Sequence, residues 1–218
     1  MRVENKYKKR LWEDLKNIDE EFSFDKMRWL HIHPYPHANS VLRILIQRAC
    51  CPQHIGPIML GREGILEIDR IWRVEHILEA AKECLNFSDY WEYRRFLELV
   101  DLSAFELLQD VILIGKDSDD PDVKEASQDF EEYYERLSAN MDETFHDDII
   151  KAISDVKATA FSLAEIGHKY KTLGMSREHM YELLEAIRSE TKTEEQEGLI
   201  RELMDFMFGW CHSDWKIF

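Results

Sequence analysis

Three histidines in a proline-containing segment are the best-placed metal ligands in the sequence. His31, His33 and His37 lie in the stretch HIHPYPH, and Cys51 and His54 follow it. Imidazole and thiolate groups suit zinc, and a structural zinc site needs about four such ligands. The spacing is irregular and two prolines interrupt the segment, so ring packing or solvent exposure is the stronger interpretation. We expect no bound metal.

A second group of possible ligands is a run of aspartates after residue 116. An EF-hand calcium loop that began at Asp117 would need glycine at its sixth position and glutamate at its twelfth. This chain has Asp122 and Gln128 there, so the calcium pattern is not met. The pair Asp120-Pro121 is instead typical of a helix start, with aspartate as the cap and proline at the first helical position.

The sequence carries no recognisable catalytic motif. The nucleophile elbow GxSxG, the phosphate loop GxxxxGK[ST], the zinc motif HExxH and the dinucleotide fingerprint GxGxxG are all missing from it. Acidic neighbours such as Asp147 and Asp148 diverge by about 100° on a helix, so they do not share a site. We therefore expect a protein that acts by binding, with no catalytic residues and no cofactor.

The most informative feature is an excess of acidic side chains between residues 101 and 150. This segment holds sixteen Asp and Glu against three Lys and Arg, in a chain whose formal net charge is −16. Such a field attracts and orients cationic partners. It argues against nucleic-acid binding, which needs clustered Lys and Arg. The alternative is a solvated face that only keeps the protein soluble.

Aromatic residues accompany the acidic ones. Tyr133 and Tyr134 are flanked by glutamates, so we expect at least one to be exposed and to anchor a basic partner. Of the earlier group Tyr90, Trp91 and Tyr93, the tryptophan is predicted to lie in the core. The predicted partner-binding residues are Asp117, Asp119, Asp122, Glu131, Glu132, Tyr134 and Glu135, with Asp147 and Asp148 as outer members.

Helical periodicity dominates the chain and predicts an all-α fold. Glycine and proline are scarce, at eight and five residues, and strand-like alternation is almost absent. The first helix is predicted over residues 3–22, and one long helical segment over 142–172. Gly115 and Gly174 are predicted to end helices. The predicted N-terminal caps are Asn39 or Ser40, then Asp89, Ser103, Asp120, Ser176 and Thr193.

These helices are predicted to form two modules, residues 1–138 and residues 140–218. No apolar run approaches the roughly 20 residues needed to span a bilayer. The basic N-terminus is not followed by the apolar segment of a secretory signal. The four cysteines show no CxxC spacing and are expected to be reduced thiols. We therefore expect a cytoplasmic protein that does not associate with membranes.

The segment SDDPDVKEA at residues 118–126 resembles the start of a HEAT-repeat helix, in which an Asp-Pro turn precedes a Val–Arg/Lys pair and a small residue. Residues 60–68 with Trp72, and residues 89–99, resemble further parts of such an array. The triplets at 66–68 and 97–99 recur about 31 residues apart, which suits a two-helix repeat. Lys124 departs from the pattern, where Arg is commoner. The resemblance covers about residues 38–138 and implies an array of helical hairpins, followed here by a C-terminal helical module.

The stretches GMSRE at 174–178 and MDFMFGWC at 204–211 resemble the ends of small helical bacterial immunity proteins. Such proteins neutralise a toxin delivered by a neighbouring cell. The resemblance implies a cytoplasmic protein that binds one cognate toxin domain, but the family's contact residues vary and none is transferred.

The leading hypothesis is therefore a non-enzymatic inhibitor that covers a cationic toxin, preferably a nuclease, with its acidic surface. The alternative is a HEAT-like adaptor or scaffold for another protein partner.

Overall fold

The computed structural model describes residues 6–18, 20, 24–210 and 216–218, and all regular elements in these ranges are helical. The predicted all-α fold is confirmed. The predicted helix over 3–22 and the tail motif ending at Cys211 lie partly outside the described residues. Two 3₁₀ segments, Phe24–Ile32 and Phe105–Leu107, accompany the α-helices. The α-helices are α1 (Lys6–Lys16), α2 (Tyr35–Ala49), α3 (Ile55–Leu66), α4 (Arg70–Cys84), α5 (Tyr90–Ser103), α6 (Leu108–Lys116), α7 (Pro121–Ala139), α8 (Met141–Ile153), α9 (Ala160–Thr172), α10 (Arg177–Glu190) and α11 (Glu194–Phe208).

The chain divides into two compact units, Met1–Glu131 and Glu132–Phe218. The division falls within α7, whereas the sequence placed the module boundary between residues 138 and 140. Unit 1 contains α1 to α6 and the first part of α7. Unit 2 contains the last turns of α7 and the helices α8 to α11.

The core of unit 1 is built around α2, which packs against α3 and α4. Leu42, Leu45 and Ile46 of α2 are fully buried. The backbones of α2 and α3 lie close together at Gly61. A Cβ atom there would lie 2.4 Å from the backbone nitrogen of Ala49 and 2.7 Å from the carbonyl oxygen of Leu45. Only glycine allows the two backbones to pack at this distance.

A fully buried arginine joins three helices of unit 1. Arg73 of α4 donates from Nε to the carbonyl of Ser103, the last residue of α5, at 2.9 Å. Its Nη1 lies 3.1 Å, 3.3 Å and 3.2 Å from the carbonyls of Ile65, Leu66 and Ile68 at the end of α3. Carbonyls at helix C-termini have no partner within their own helix and carry partial negative charge. One guanidinium therefore satisfies the ends of two helices.

A hydroxyl pair holds α5, α6 and α7 together. The hydroxyl oxygens of Tyr93 and Ser127 are 2.6 Å apart, and they face the carbonyls of Val111 at 2.9 Å and Ile112 at 3.1 Å. A Cβ atom on Gly115 would lie 2.2 Å from the Tyr93 hydroxyl. Gly115 was predicted to end its helix, but α6 continues to Lys116. This glycine leaves space for the hydroxyl pair.

Four of the predicted N-terminal caps are confirmed. The side chains of Asp89, Asp120, Ser176 and Thr193 each accept a hydrogen bond from a backbone N–H in the first turn of the following helix. Gln196 completes a variation on the predicted capping box, because its side chain accepts from the backbone N–H of Lys192. These short polar side chains satisfy N–H groups that a helix start leaves unpaired.

Two predicted caps are wrong. Asn39 and Ser40 lie inside α2, which begins at Tyr35 with Pro36 in its first turn, where proline loses no hydrogen bond. Asn39 instead donates to Glu83 of α4 at 3.0 Å, and the Ser40 hydroxyl donates to the carbonyl of Pro36. Ser103 ends α5, and its hydroxyl donates back to the carbonyl of Leu99 at 2.7 Å.

The long helical segment predicted over 142–172 is two helices. The first, α8, ends at Ile153, and α9 begins after Thr159. Thr159 and Ser162 form a capping box, in which each side chain accepts from the other's backbone N–H. Both α8 and α9 contribute to the core of unit 2, where Phe145, Ile149 and Tyr170 are fully buried together with residues of α10 and α11.

Within the described ranges, no helix combines the length and the apolar composition that crossing a membrane requires. Cys50, Cys51 and Cys84 are free thiols. Cys50 is buried, whereas Cys51 and Cys84 are partly exposed.

Candidate partner-binding surface

Four exposed carboxylates lie on the turn between α6 and α7 and on the first turns of α7. They are Asp117, Asp119, Asp122 and Glu125, and we call this group the acidic ridge. Over the ranges that the structure describes, none of the four forms an ion pair. Glu125 is not among the residues predicted from the sequence, although it follows Asp122 by three residues and so lies on the same face of α7. The acidic ridge carries negative charge with which no described cation of unit 1 forms an ion pair.

The carboxylates farther along α7 in unit 1 are engaged internally. Glu131 is half-buried and pairs with Lys116 at the end of α6. Asp129 accepts from Arg94 of α5 at 2.8 Å. Both pairs tie α7 to its neighbours, so Glu131, a predicted binding residue, has a structural contact as well as a place beside the acidic ridge.

Trp91 is exposed, and its predicted place in the core is wrong. Half of its side chain, 50%, is accessible, whereas Tyr93 is fully buried. The two residues are separated by about 200° around α5, because successive helical residues turn by about 100°. The buried stripe of α5 runs through Tyr93, Phe96 and Val100. Burying Tyr93 therefore turns Trp91 outward.

A chain of contacts links Trp91 to α7. Its ring packs edge-on against Tyr90, with centroids 5.1 Å apart. The Arg94 guanidinium lies 6.0 Å from the centre of the Tyr90 ring and also binds Asp129. Asp129 follows Glu125 by one turn of α7. The exposed Trp91 of unit 1 is therefore connected to α7 only through these intervening side chains.

Leu113 adds a second exposed apolar group. It is 56% accessible and precedes Asp117 by four residues, so the two lie on the same side of the end of α6. The buried residues of α6 are Leu108, Val111, Ile112 and Gly115. Apolar groups bordered by charged ones are the usual composition of a protein interface.

The predicted tyrosine anchors are less exposed than expected. Tyr133 and Tyr134 are both half-buried in unit 2, whereas Glu132 and Glu135 beside them are exposed. The expectation that one tyrosine is exposed is wrong, because Tyr133 turns toward α9. There its hydroxyl oxygen accepts from the Lys169 ammonium at 2.6 Å.

Asp147 and Asp148 occupy different environments in unit 2. Asp147 is exposed and lies 3.4 Å from the ring of His146. Asp148 is half-buried and accepts from Lys169 at 3.2 Å and from the Tyr170 hydroxyl at 2.9 Å. Burial raises the pKa of Tyr170 above its ordinary value, so its phenol stays protonated and donates. Asp148 thus joins α8 to α9.

Replacing Lys169 by methionine is expected to lower the free energy of unfolding of unit 2 by about 2 kcal/mol. Lys169 is 8% exposed and its ammonium binds both Tyr133 and Asp148, so methionine leaves a half-buried carboxylate without its cation. Chemical denaturation followed by circular dichroism measures the change. Lys151→Met, on the exposed face of α8, is the control. An equal loss in both variants would contradict the structural role of Lys169.

Two histidine–carboxylate pairs connect α8 to α10. His146 lies 3.2 Å from Glu190, and His179 lies 2.7 Å from Asp142. The hydrogen bond to Glu190 is the main reason that the pKa of His146 is raised.

This arrangement makes the stability of unit 2 depend weakly on pH. The folded state raises the pKa of His146, so its pair with Glu190 stabilises unit 2 when the imidazole is protonated. This stabilisation is complete below about pH 6.5, the ordinary histidine pKa. It is lost as the pH rises through the higher folded pKa. We expect the urea midpoint to fall between pH 5.5 and pH 8, and His146→Gln to reduce that fall. A variant with the same pH dependence as the wild type would exclude this pair as its source.

The histidines considered as metal ligands are only partly brought together. The rings of His33 and His37 stack with centroids 5.2 Å apart, whereas His31 lies beside Trp29 and His54 beside Tyr7. In the described part of the chain, no three His, Cys, Asp or Glu side chains are arranged to hold a metal ion.

No family model, curated protein or solved structure matches this chain.

Proposed function

We propose that this chain is a non-enzymatic α-helical inhibitor, an immunity protein that binds and covers a cationic toxin domain in the cytoplasm. The observation that carries the proposal is the acidic ridge. Carboxylates that serve the fold, such as Glu131 and Asp129, are paired with Lys116 and Arg94. The acidic ridge has no such cation among the described residues of unit 1, and a basic partner would supply it.

A nuclease is the preferred class of toxin. Nuclease sites attract phosphates with lysine and arginine side chains. A row of carboxylates carries negative charge, as the phosphates do, and can bind the same side chains. The acidic ridge would occupy the substrate groove, while Trp91 and Leu113 contribute apolar contact at its border. Inhibition then results from occupancy of the groove and needs no chemical step by the inhibitor.

The predicted binding residues contribute unequally to this proposal. Asp117, Asp119 and Asp122 belong to the acidic ridge and make the primary contacts. Glu132 and Glu135 are exposed on the turns of α7 that belong to unit 2, and they would add carboxylates of that unit to the contact. The outer or supporting members are Glu131, Tyr134, Asp147 and Asp148.

A second candidate is a helical-repeat scaffold for another protein. Side-chain contacts in unit 1 recur at similar separations along the chain. Tyr93 contacts Ser127 at 34 residues, Arg94 contacts Asp129 at 35, and Arg62 contacts Glu98 at 36. Stacked hairpins of uniform length produce such an interval, which supports a HEAT-like arrangement. The chemistry of the partner separates the two functions.

The test is co-expression with the protein encoded by the neighbouring gene. If that protein is a toxin, the wild-type chain is expected to rescue growth and to copurify with it. A variant with Asp117, Asp119, Asp122 and Glu125 changed to Asn or Gln should lose rescue. The matched control neutralises four exposed glutamates of unit 2, Glu143, Glu182, Glu195 and Glu202. Rescue by the first variant, or loss of rescue in both, contradicts the assignment of the acidic ridge.

A further inference from the structure

A cleft of about 150 Å³ lies between α1 and the first half of α3 in unit 1. Leu11, Pro57 and Leu60 are its apolar lining residues. A cavity of about this volume accommodates a benzene molecule. The apolar part of the lining therefore suits a small apolar body of that size.

Basic residues also line this cleft. Arg10, Arg48 and His54 line it, and no carboxylate does so in the described part of the chain. Arg48 is paired with Asp14, which holds its guanidinium in place and offsets its charge. Arg10 is exposed and forms no ion pair with a described residue. One guanidinium is thus held in place and a second is available to an incoming anion.

The start of α3 adds to the positive potential. His54 precedes the helix without capping it through its side chain, and the first turn of α3 contains no acidic residue. The partial positive charge of a helix N-terminus therefore remains uncompensated next to the cleft. Tyr7 covers this end: a Cβ atom on Gly56 would lie 2.9 Å from the Tyr7 ring.

We propose that this cleft binds a small organic carboxylate whose apolar body is about the size of one benzene ring. The carboxylate accepts hydrogen bonds from Arg10 and Arg48, a geometry that guanidinium groups favour. The body rests on Leu11, Pro57 and Leu60. Small-molecule sites commonly combine an apolar lining with a few convergent polar groups. This site is distinct from the acidic ridge and does not depend on its function.

Cys51 provides a reporter for the site, because it lines the cleft and is partly exposed. Its neighbour Cys50 is buried, and burial raises the pKa of the Cys50 thiol well above the ordinary value. Burial also raises the pKa of Cys84 to about 11. Both thiols are therefore poor nucleophiles at neutral pH. Alkylation of Cys51 by iodoacetamide is followed by fragment mass spectrometry, which separates it from Cys50.

Benzoate is the probe, with benzyl alcohol and inorganic phosphate as comparisons. Benzoate is expected to protect Cys51 with a dissociation constant of about 1 mM, in the range for a ligand of this size. Arg10→Gln should weaken the protection about tenfold, the effect of losing one charge-assisted hydrogen bond. Lys9→Gln, which makes the same change of charge outside the cleft, should leave it unchanged. Calorimetric titration with benzoate gives a second measure of the same constant.

Each other outcome overturns part or all of the proposal. Equal protection by benzyl alcohol excludes recognition of the carboxylate. Equal protection by phosphate excludes the apolar body and leaves a general anion site. Equal weakening in the two variants means that net charge alone attracts the probe. Absence of protection and of heat excludes the site.

Discussion

Replacing Arg73 by methionine is expected to lower the free energy of unfolding of unit 1 by about 4 kcal/mol. The guanidinium is fully buried and bonds to carbonyls of α3 and α5, the closest at 2.9 Å from Ser103. Methionine fills much of the same volume but donates no hydrogen bond. The carbonyls of Leu66, Ile68 and Ser103 then lose this donor, whereas the carbonyl of Ile65 keeps the backbone N–H of Ile68. The macrodipoles of both helices also lose their cation.

Chemical denaturation measures this effect, with the amide exchange of α3 to α5 as a regional readout. Arg73→Lys should recover part of the stability, because an ammonium keeps the charge but cannot reach both helix ends as the planar guanidinium does. Arg28→Met is the control, since Arg28 is half-exposed and lies 4.0 Å from Glu67. A loss below about 1 kcal/mol for Arg73→Met, the range of exposed ion pairs, would show that the carbonyls find other partners.

The helix starts that could be predicted are those with a local cause. Asp89, Asp120, Ser176 and Thr193 cap helices through contacts two or three residues away, so a short stretch of sequence contains both partners. Ser103 failed as a cap although it has the same chemistry, because its hydroxyl finds the carbonyl of Leu99 behind it. Residue type alone does not tell whether such a side chain accepts from the helix that follows it or donates to the helix that precedes it.

The residues that sequence reasoning missed depend on distant partners or on helical phase. The partners of Arg73 include Ser103, thirty residues away, and backbone carbonyls leave no mark in a sequence. Trp91 was different, because the information was present. Aligning α5 on its apolar stripe of Tyr93, Phe96 and Val100 places Trp91 on the opposite side. The helical phase of α5 is therefore a better guide to the position of Trp91 than the general tendency of tryptophan to be buried.

In the acidic segment between residues 101 and 150, the sequence shows how many carboxylates there are, and the structure shows which of them are paired. The segment's excess of carboxylates was visible in the sequence, but their pairing was not. Glu131 and Asp148 have cations in Lys116 and Lys169, which come from other helices. The exposed members at the start of α7 have none among the described residues of unit 1. Carboxylates without an internal cation are the ones that can attract a partner. The structure therefore reduces the sixteen acidic residues of this segment to a few candidates, with the acidic ridge as the main group.

Neutralising the acidic ridge is expected to slow association with a cationic toxin about a hundredfold at low ionic strength. The variant carries Asp117→Asn, Asp119→Asn, Asp122→Asn and Glu125→Gln. Long-range attraction raises association rates, and its effect is screened by salt over about 10 Å at 0.1 M. The difference between wild type and variant should therefore shrink as salt is added. Trp91→Ala should act mainly on dissociation, because it removes contact without removing charge.

Stopped-flow association at two salt concentrations separates specific steering from net charge. The control variant, with Glu143, Glu182, Glu195 and Glu202 changed to Gln, alters the net charge equally but leaves the acidic ridge intact. Because steering depends on where charge lies relative to the binding surface, the control should retain most of the wild-type rate. If both variants slow association equally, the field of the whole chain is responsible and the acidic ridge is not the contact surface. If neither does, binding uses another face, and the apolar pair Trp91 and Leu113 is the next surface to test.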